Sequence, residues 1–271
     1  MTKAEKFRRV IERLDTYSDQ VIELQRQLVS RVALGPEVGG TGEADKAAFL
    51  VEVLKSWGLE VADYPAPDDR VPGGSRPNLV AYLPGRRPEK VWVLSHTDVV
   101  PPGDLSLWES DPFTLRVDGD RLYGRGTEDD HHGIVMSLMA VRAFLDLGLT
   151  PERTLALALV ADEETGNERG LAYVLRGHPL ASWRCRRCAR DTLPLSLADV
   201  EFQGVPVDSQ AGVVLVLNPE KYLPRLIPGY SDLDLPGMLQ NVFDSPYNGY
   251  LIAPACLLEA LFSLVNGNAC L

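Results

Sequence analysis

His96 and Asp98 stand two residues apart at the end of the apolar run Val91-Trp92-Val93-Leu94. A run of that length reads as a buried strand. On an extended backbone, side chains two apart point to the same side. Polar residues at a strand's end are where open α/β sheets place ligands and chemistry. An imidazole with a carboxylate beside it suits metal binding: His96 supplies the nitrogen and Asp98 orients the ring.

Two other segments carry the same chemistry. Gly124-Arg125-Gly126-Thr127-Glu128-Asp129-Asp130 leads into a long apolar stretch, and Asp162-Glu163-Glu164 follows the apolar run Thr154 to Val160. Asp129, on a loop made pliable by glycine, can bridge two ions. Of Glu163 and Glu164, one can bind metal while the other, kept off it, takes the proton of an attacking water. Histidine nitrogen with carboxylate oxygens suits Zn²⁺, with Mn²⁺ or Co²⁺ as alternatives. Two such ions about 3.5–4 Å apart can activate a water and hold a developing oxyanion. Singly, each segment has a plainer reading as a hydrogen-bonded histidine, a glycine turn or a solvated strand edge. Their concurrence in three successive loops points to a metal site.

The elements that must position these loops follow from periodicity. Phe7, Val10, Leu14, Tyr17, Val21, Leu24 and Leu28 recur at spacings of three and four, which predicts a helix, or two short ones, over residues 4–31. Residues 43–57 predict a second helix, with Ala47, Leu50, Val51 and Leu54 on one face and Gly58 as its stop. Strands are expected at 59–62, 78–83, 90–94 and 154–160. A loop is expected at 65–77, and a hairpin around Asp118-Gly119-Asp120. Residues 133–147 are apolar nearly all round and predict a buried helix. His131 and His132 read as loop or helix-start residues, and a short helix is expected at 168–175. Strands alternating with helices indicate an α/β fold with a mixed, largely parallel sheet flanked by helices.

The 271 residues suffice for one large domain or two. The net charge of −11 argues against nucleic acid as a partner and fits a cation site built from carboxylates. No apolar run approaches the roughly 18 residues of a membrane span. The first residues lack a signal-peptide core, and four cysteines make no disulfide framework, so a cytoplasmic location is expected.

Residues 1 to about 178 also resemble the M20 zinc-dependent amidohydrolases and peptidases. The matching segments are Arg76-Pro77-Asn78-Leu79-Val80-Ala81, Ser95-His96-Thr97-Asp98-Val99-Val100-Pro101, Trp108 through Pro112-Phe113, Leu122 through Asp129, and Asp162-Glu163-Glu164-Thr165-Gly166. The resemblance implies two Zn²⁺ ions. His96 would bind the first, Asp98 would steer His96, and Asp129 would bridge both. Glu164 would bind the second ion, and Glu163 would be the general base and later the general acid. The implied reaction is hydrolysis of an amide or peptide bond in a small N-acyl amino acid or short peptide. Such proteins are often homodimers.

The resemblance also implies an acidic ligand some 25 residues after the glutamate pair and a distal histidine. Asp191 lies near the first position, whereas no histidine occupies the last third of the chain. The pattern breaks at Trp183, which divides the chain into a catalytic portion, 1–180, and a divergent segment, 181–271, without a recognisable lid or dimerisation domain. Codons for Trp183 to Ala189, read one base later, can spell Gly-Asp-Val-Val-Val-Val-Pro, a strand of the expected kind. This suggests a frameshift near residue 181. Cys185-x-x-Cys188, lacking a second such pair, is a weak metal motif. An inactive remnant with an incomplete metal site is the alternative to a working hydrolase.

Overall fold

The computed structural model describes residues 2–177 and 213–216. Its helices are α1 (Lys3–Leu14), α2 (Ser18–Ser30), α3 (Ala44–Ser56), α4 (His131–Asp146) and α5 (Leu171–Gly177). Its strands are β1 (Glu60–Asp63), β2 (Ala66–Pro67), β3 (Ser75–Arg76), β4 (Leu79–Leu83), β5 (Arg87–His96), β6 (Arg116–Asp118), β7 (Arg121–Tyr123), β8 (Arg153–Val160) and β9 (Val213–Val216). Asp191, the Cys185–Cys188 pair and the rest of the segment after residue 180, apart from β9, lie outside the described residues.

The main sheet has the order β1-β4-β8-β5-β9. β1 with β4 and β4 with β8 are antiparallel, whereas β8 with β5 and β5 with β9 are parallel. It is thus a mixed sheet, and the apolar patch at 212–217 supplies its edge strand beside β5. The stripe over residues 4–31 divides into α1 and α2 because the N–H of Asp15 turns back onto Arg13 and Ile11, closing the first helix. Thr2 and Glu5 form a capping box at its start. Asp146 at the end of α4 binds Arg13 and Tyr17 of the α1 region, docking α1 onto α4. The expected loop at 65–77 contains the small β2–β3 hairpin.

β8 shows why the run Thr154 to Val160 has no polar face. Its Leu155, Leu157 and Leu159 pack with Leu79, Ala81, Val91 and Val93 of the neighbouring strands and with Leu28, Leu50, Leu138 and Phe144 of the helices α2 to α4. Its alternate residues Ala156, Ala158 and Val160 pack with Val80, Trp92 and with Leu171 and Val174 of α5. A strand covered on both faces is apolar at every position. Leu157 is 1% exposed at the centre of this core. Replacing it with alanine should cost about 2–5 kcal/mol, read from the urea unfolding midpoint.

Asp68, in the β2–β3 turn, accepts hydrogen bonds from Nε and Nη2 of Arg70, both at 2.8 Å, and lies 3.1 Å from Nε of Arg169. It thereby joins this hairpin to the turn before α5. The Arg70 hydrogen bonds hold its carboxyl down at about 2, from an ordinary 3.8, against the opposing effect of burial. Because the folded value is depressed, the stabilisation is complete above the unfolded value and is lost as pH falls through the folded one. Asp68→Asn should therefore lower stability by about 1–2 kcal/mol at pH 7. The gap between variant and wild type should persist down to about pH 4 and close toward pH 2, as urea titrations across this range would record.

Candidate metal centre

Strand direction brings the predicted residues together. β5 runs parallel to β8 with His96 beside Val160, so the two strands release their chains at the same edge. β4 runs antiparallel to β8 with Leu79 beside Leu159, so the chain entering β4 starts at that edge too. Three segments therefore meet there: Arg76 to Asn78, His96 to Asp98, and Asp162 to Glu164. Asn78 joins two of them, its Oδ1 accepting the N–H of Ala161 at 3.1 Å and its Nδ2 donating to the carbonyl of Arg169 at 2.9 Å.

His96, Glu163 and Glu164 each place one donor atom within 4.8 Å of the other two. Nδ1 of His96 lies 3.1 Å from the backbone carbonyl of Asp98 and 3.5 Å from its carboxylate. With Nδ1 so engaged, Nε2 faces Asp129 Oδ1 at 2.8 Å and Glu163 Oε2 at 3.8 Å. The Asp98 carboxylate accepts the backbone N–H groups of Glu163 at 3.1 Å and Glu164 at 2.9 Å. Asp98 therefore touches both the imidazole and the backbone that carries the two glutamates. The side chain of Asp129 is 40% exposed, unlike the buried His96 and Asp98.

Burial pulls the His96 imidazole toward neutrality, but its bonds to Asp129 and Asp98 outweigh this and raise it well above 6.5. Burial raises Asp98, yet its bonds to His96 and to the two amides hold it below the usual carboxylate range. His96 Nε2 and Asp129 Oδ1 face each other at 2.8 Å, a nitrogen and a carboxylate that a divalent cation would also join. The grouped donors, one imidazole with two carboxylates, fit Zn²⁺ or a neighbouring transition metal.

Sequence reasoning did not single out the groups behind this site. Arg76 is fully buried, donating from Nε to both Glu43 oxygens at 3.1 Å and from Nη1 to Asp162 at 2.7 Å. Removing one partner of such a cluster strands a buried charge, at a cost of about 3–5 kcal/mol. Lys46 is equally buried, its Nζ 2.7 Å from His131 Nε2. Burial brings Lys46 down to about 7, against the opposing pull of Asp98 and Glu43. Burial pushes Asp130 up to about 8, and its Oδ2 accepts the backbone N–H of His96 at 3.3 Å. One signal for part of this set was present. Glu43 and Lys46 fall on the apolar stripe of α3 with Ala47, Leu50 and Leu54, where unpaired charges would not be buried. Arg76 and Asp162 lie in segments that carry the family resemblance, but nothing in their spacing assigned either a role or paired them.

Residues 92–205 match peptidase family M20/M25/M40. Over these residues the chain is similar to that family. An uncharacterized metallohydrolase of Methanococcus maripaludis is 35% identical over 164 residues, which are 58% of this chain and 39% of that protein. A succinyl-diaminopimelate desuccinylase of Gluconobacter oxydans is 33% identical over 196 residues, 72% of this chain and 45% of that protein. Human carnosine dipeptidase 1 shares the fold, with a TM-score of 0.53 at 21% identity, covering 62% of this chain and 37% of its own. The chain thus spans less than half the length of these relatives.

Gly126 has φ +83°, and a Cβ there would meet both Val99 Cγ1 and His131 Cε1 at 2.7 Å. The loop that delivers Asp129 therefore passes too close to Val99, on the segment after β5, and to His131 at the start of α4 for any side chain. Gly126→Ala should destabilise the protein by about 2 kcal/mol or more, measured by urea unfolding, through strain and contact together.

Proposed function

We propose that this chain is the catalytic portion of a metal-dependent hydrolase that cleaves an amide or peptide bond in a small N-acyl amino acid or short peptide. The observation that carries the reading is the grouping of His96, Glu163 and Glu164 donor atoms within 4.8 Å at the shared edge of β5 and β8. The names of the relatives, a metallohydrolase and a desuccinylase, agree with this chemistry. Residues 1–180 carry the site. His96, Asp129 and Glu164 would hold two ions, Zn²⁺ by preference and Co²⁺ or Mn²⁺ as alternatives. Asp191 is a further candidate ligand. When bound, such ions lower the pKa of water and polarise a carbonyl oxygen.

The remaining work falls to side chains. His96 presents Nε2 because Nδ1 is held by Asp98. Asp98 fixes the amides of Glu163 and Glu164, so the two carboxylates keep their relative positions. Glu163, half-buried and held off the imidazole at 3.8 Å, takes the proton of the attacking water. It returns that proton to the leaving nitrogen, which completes bond cleavage. The substrate is a small molecule or short peptide, and nucleic acid is not a partner. Among the described residues no helix is long and apolar enough to cross a membrane.

The full chain should bind two metal ions by elemental mass spectrometry and hydrolyse a member of a panel of dipeptides and N-acyl amino acids. Absence of both tight metal and turnover would establish the inactive-remnant reading instead. Glu163→Gln should lower kcat by about 10²- to 10⁴-fold while leaving metal content unchanged. Glu164→Gln should lower metal content itself. Undiminished turnover in Glu163→Gln would remove it from the role of base.

A further inference from the structure

We infer that Arg76, backed by Glu43, is the positioning residue that holds the Asp162–Glu164 turn in its metal-binding conformation. The inference rests on the reading of His96, Glu163 and Glu164 as a metal centre and deepens it.

Asp162 adopts φ +61°, in the left-handed region that few non-glycine residues enter, Asp and Asn most readily among them. Three donors converge on its carboxylate: Arg76 Nη1 at 2.7 Å, Thr165 Oγ1 at 2.5 Å and the backbone N–H of Arg169 at 2.8 Å. Its carbonyl accepts the N–H of Asn167 at 2.6 Å. The next two residues, Glu163 and Glu164, give their N–H groups to Asp98. The turn is thus gripped on both sides: Asp98 takes the amides of the glutamates, and Arg76 takes the side chain of the residue before them.

Arg76 is itself fixed. Its Nε meets both oxygens of Glu43, and Nη2 adds a further bond to the same carboxylate. Glu43 immediately precedes α3, so the guanidinium transmits the position of that helix to the turn. The side chains of Arg76 and Glu43 have no solvent exposure, and that of Asp162 has 2%. Bulk water therefore does not reach these groups. A planar guanidinium binds one carboxylate along one edge while reaching another, and an ammonium cannot reproduce that geometry. Arg76 touches neither His96 nor the two glutamates in any of these contacts, so its effect on the site passes through Asp162.

The test is Co²⁺ titration of the full chain, following dissociation constant and visible absorption, with circular dichroism melting to establish folding. Partners of this kind typically govern metal affinity by about 10- to 100-fold. Arg76→Lys should weaken Co²⁺ binding by about that factor and alter the absorption bands. Thr165→Val, which removes one Asp162 contact while keeping every buried charged group in place, should do so by about 3- to 10-fold. A folded Arg76→Lys or Thr165→Val protein with wild-type affinity and spectrum overturns the positioning role. If Arg76→Lys does not fold, Thr165→Val alone decides by the same readings. A wild-type chain that takes up no Co²⁺ overturns the metal reading, and this inference with it. That outcome is distinguishable because it appears before any substitution is made.

Discussion

The parallel pairing of β5 with β8 is the constraint on which the site depends. It places His96 beside Val160 and releases both chains at one sheet edge. Residues 66 positions apart then share a hydrogen bond, the Glu164 amide with the Asp98 carboxylate. Antiparallel pairing would send the two strand ends to opposite edges and separate the imidazole from the glutamates. The core enforces the arrangement, since β8 is apolar on both faces and packs between α4 and α5. A register slip of one residue would turn each leucine toward the face built for alanine.

Around that edge the protein accepts an unfavourable concentration of charge. Asp98, Asp129, Asp130, Asp162, Glu163 and Glu164 gather on adjoining segments, and Glu43 lies beneath them. The cations that offset them are few and specifically placed: Arg76 between Glu43 and Asp162, and His96 between Asp98 and Asp129. Asp130 adjusts differently, its proton being retained by burial to about pH 8. The pattern separates two tasks. Charges turned toward the interior are neutralised by fixed partners, and the half-buried Glu163 and Glu164 stay grouped with His96 within reach of a cation.

Much of the scaffold was legible because its elements bury one stripe or one face. The α3 stripe, the all-apolar α4 and the run of β8 each announce themselves through periodicity or its absence. The break at Asp15 and the β2–β3 hairpin were not so legible. The first depends on a local backbone turn within a continuous apolar stripe, and the second on two-residue strands too short to carry a pattern. The chemistry-bearing residues His96, Asp98, Asp129, Glu163 and Glu164 stood out because each lies just beyond an apolar or hairpin segment. Lys46 showed only as a charge on the apolar stripe of its helix, and the part Arg76 plays emerges only from the carboxylates that it meets.

By itself, then, the sequence determined which residues have metal-binding chemistry, that they lie at strand ends, and that the fold is α/β. These follow from residue type and local spacing, which act over a few positions. Tertiary structure decided that Asp98 serves the backbone of Glu163 and Glu164 as well as His96, and that Arg76 reaches Asp162 across 86 positions. Contacts of that kind depend on strand direction and register. Those are set by packing of the whole core and leave no mark on the residues that finally touch.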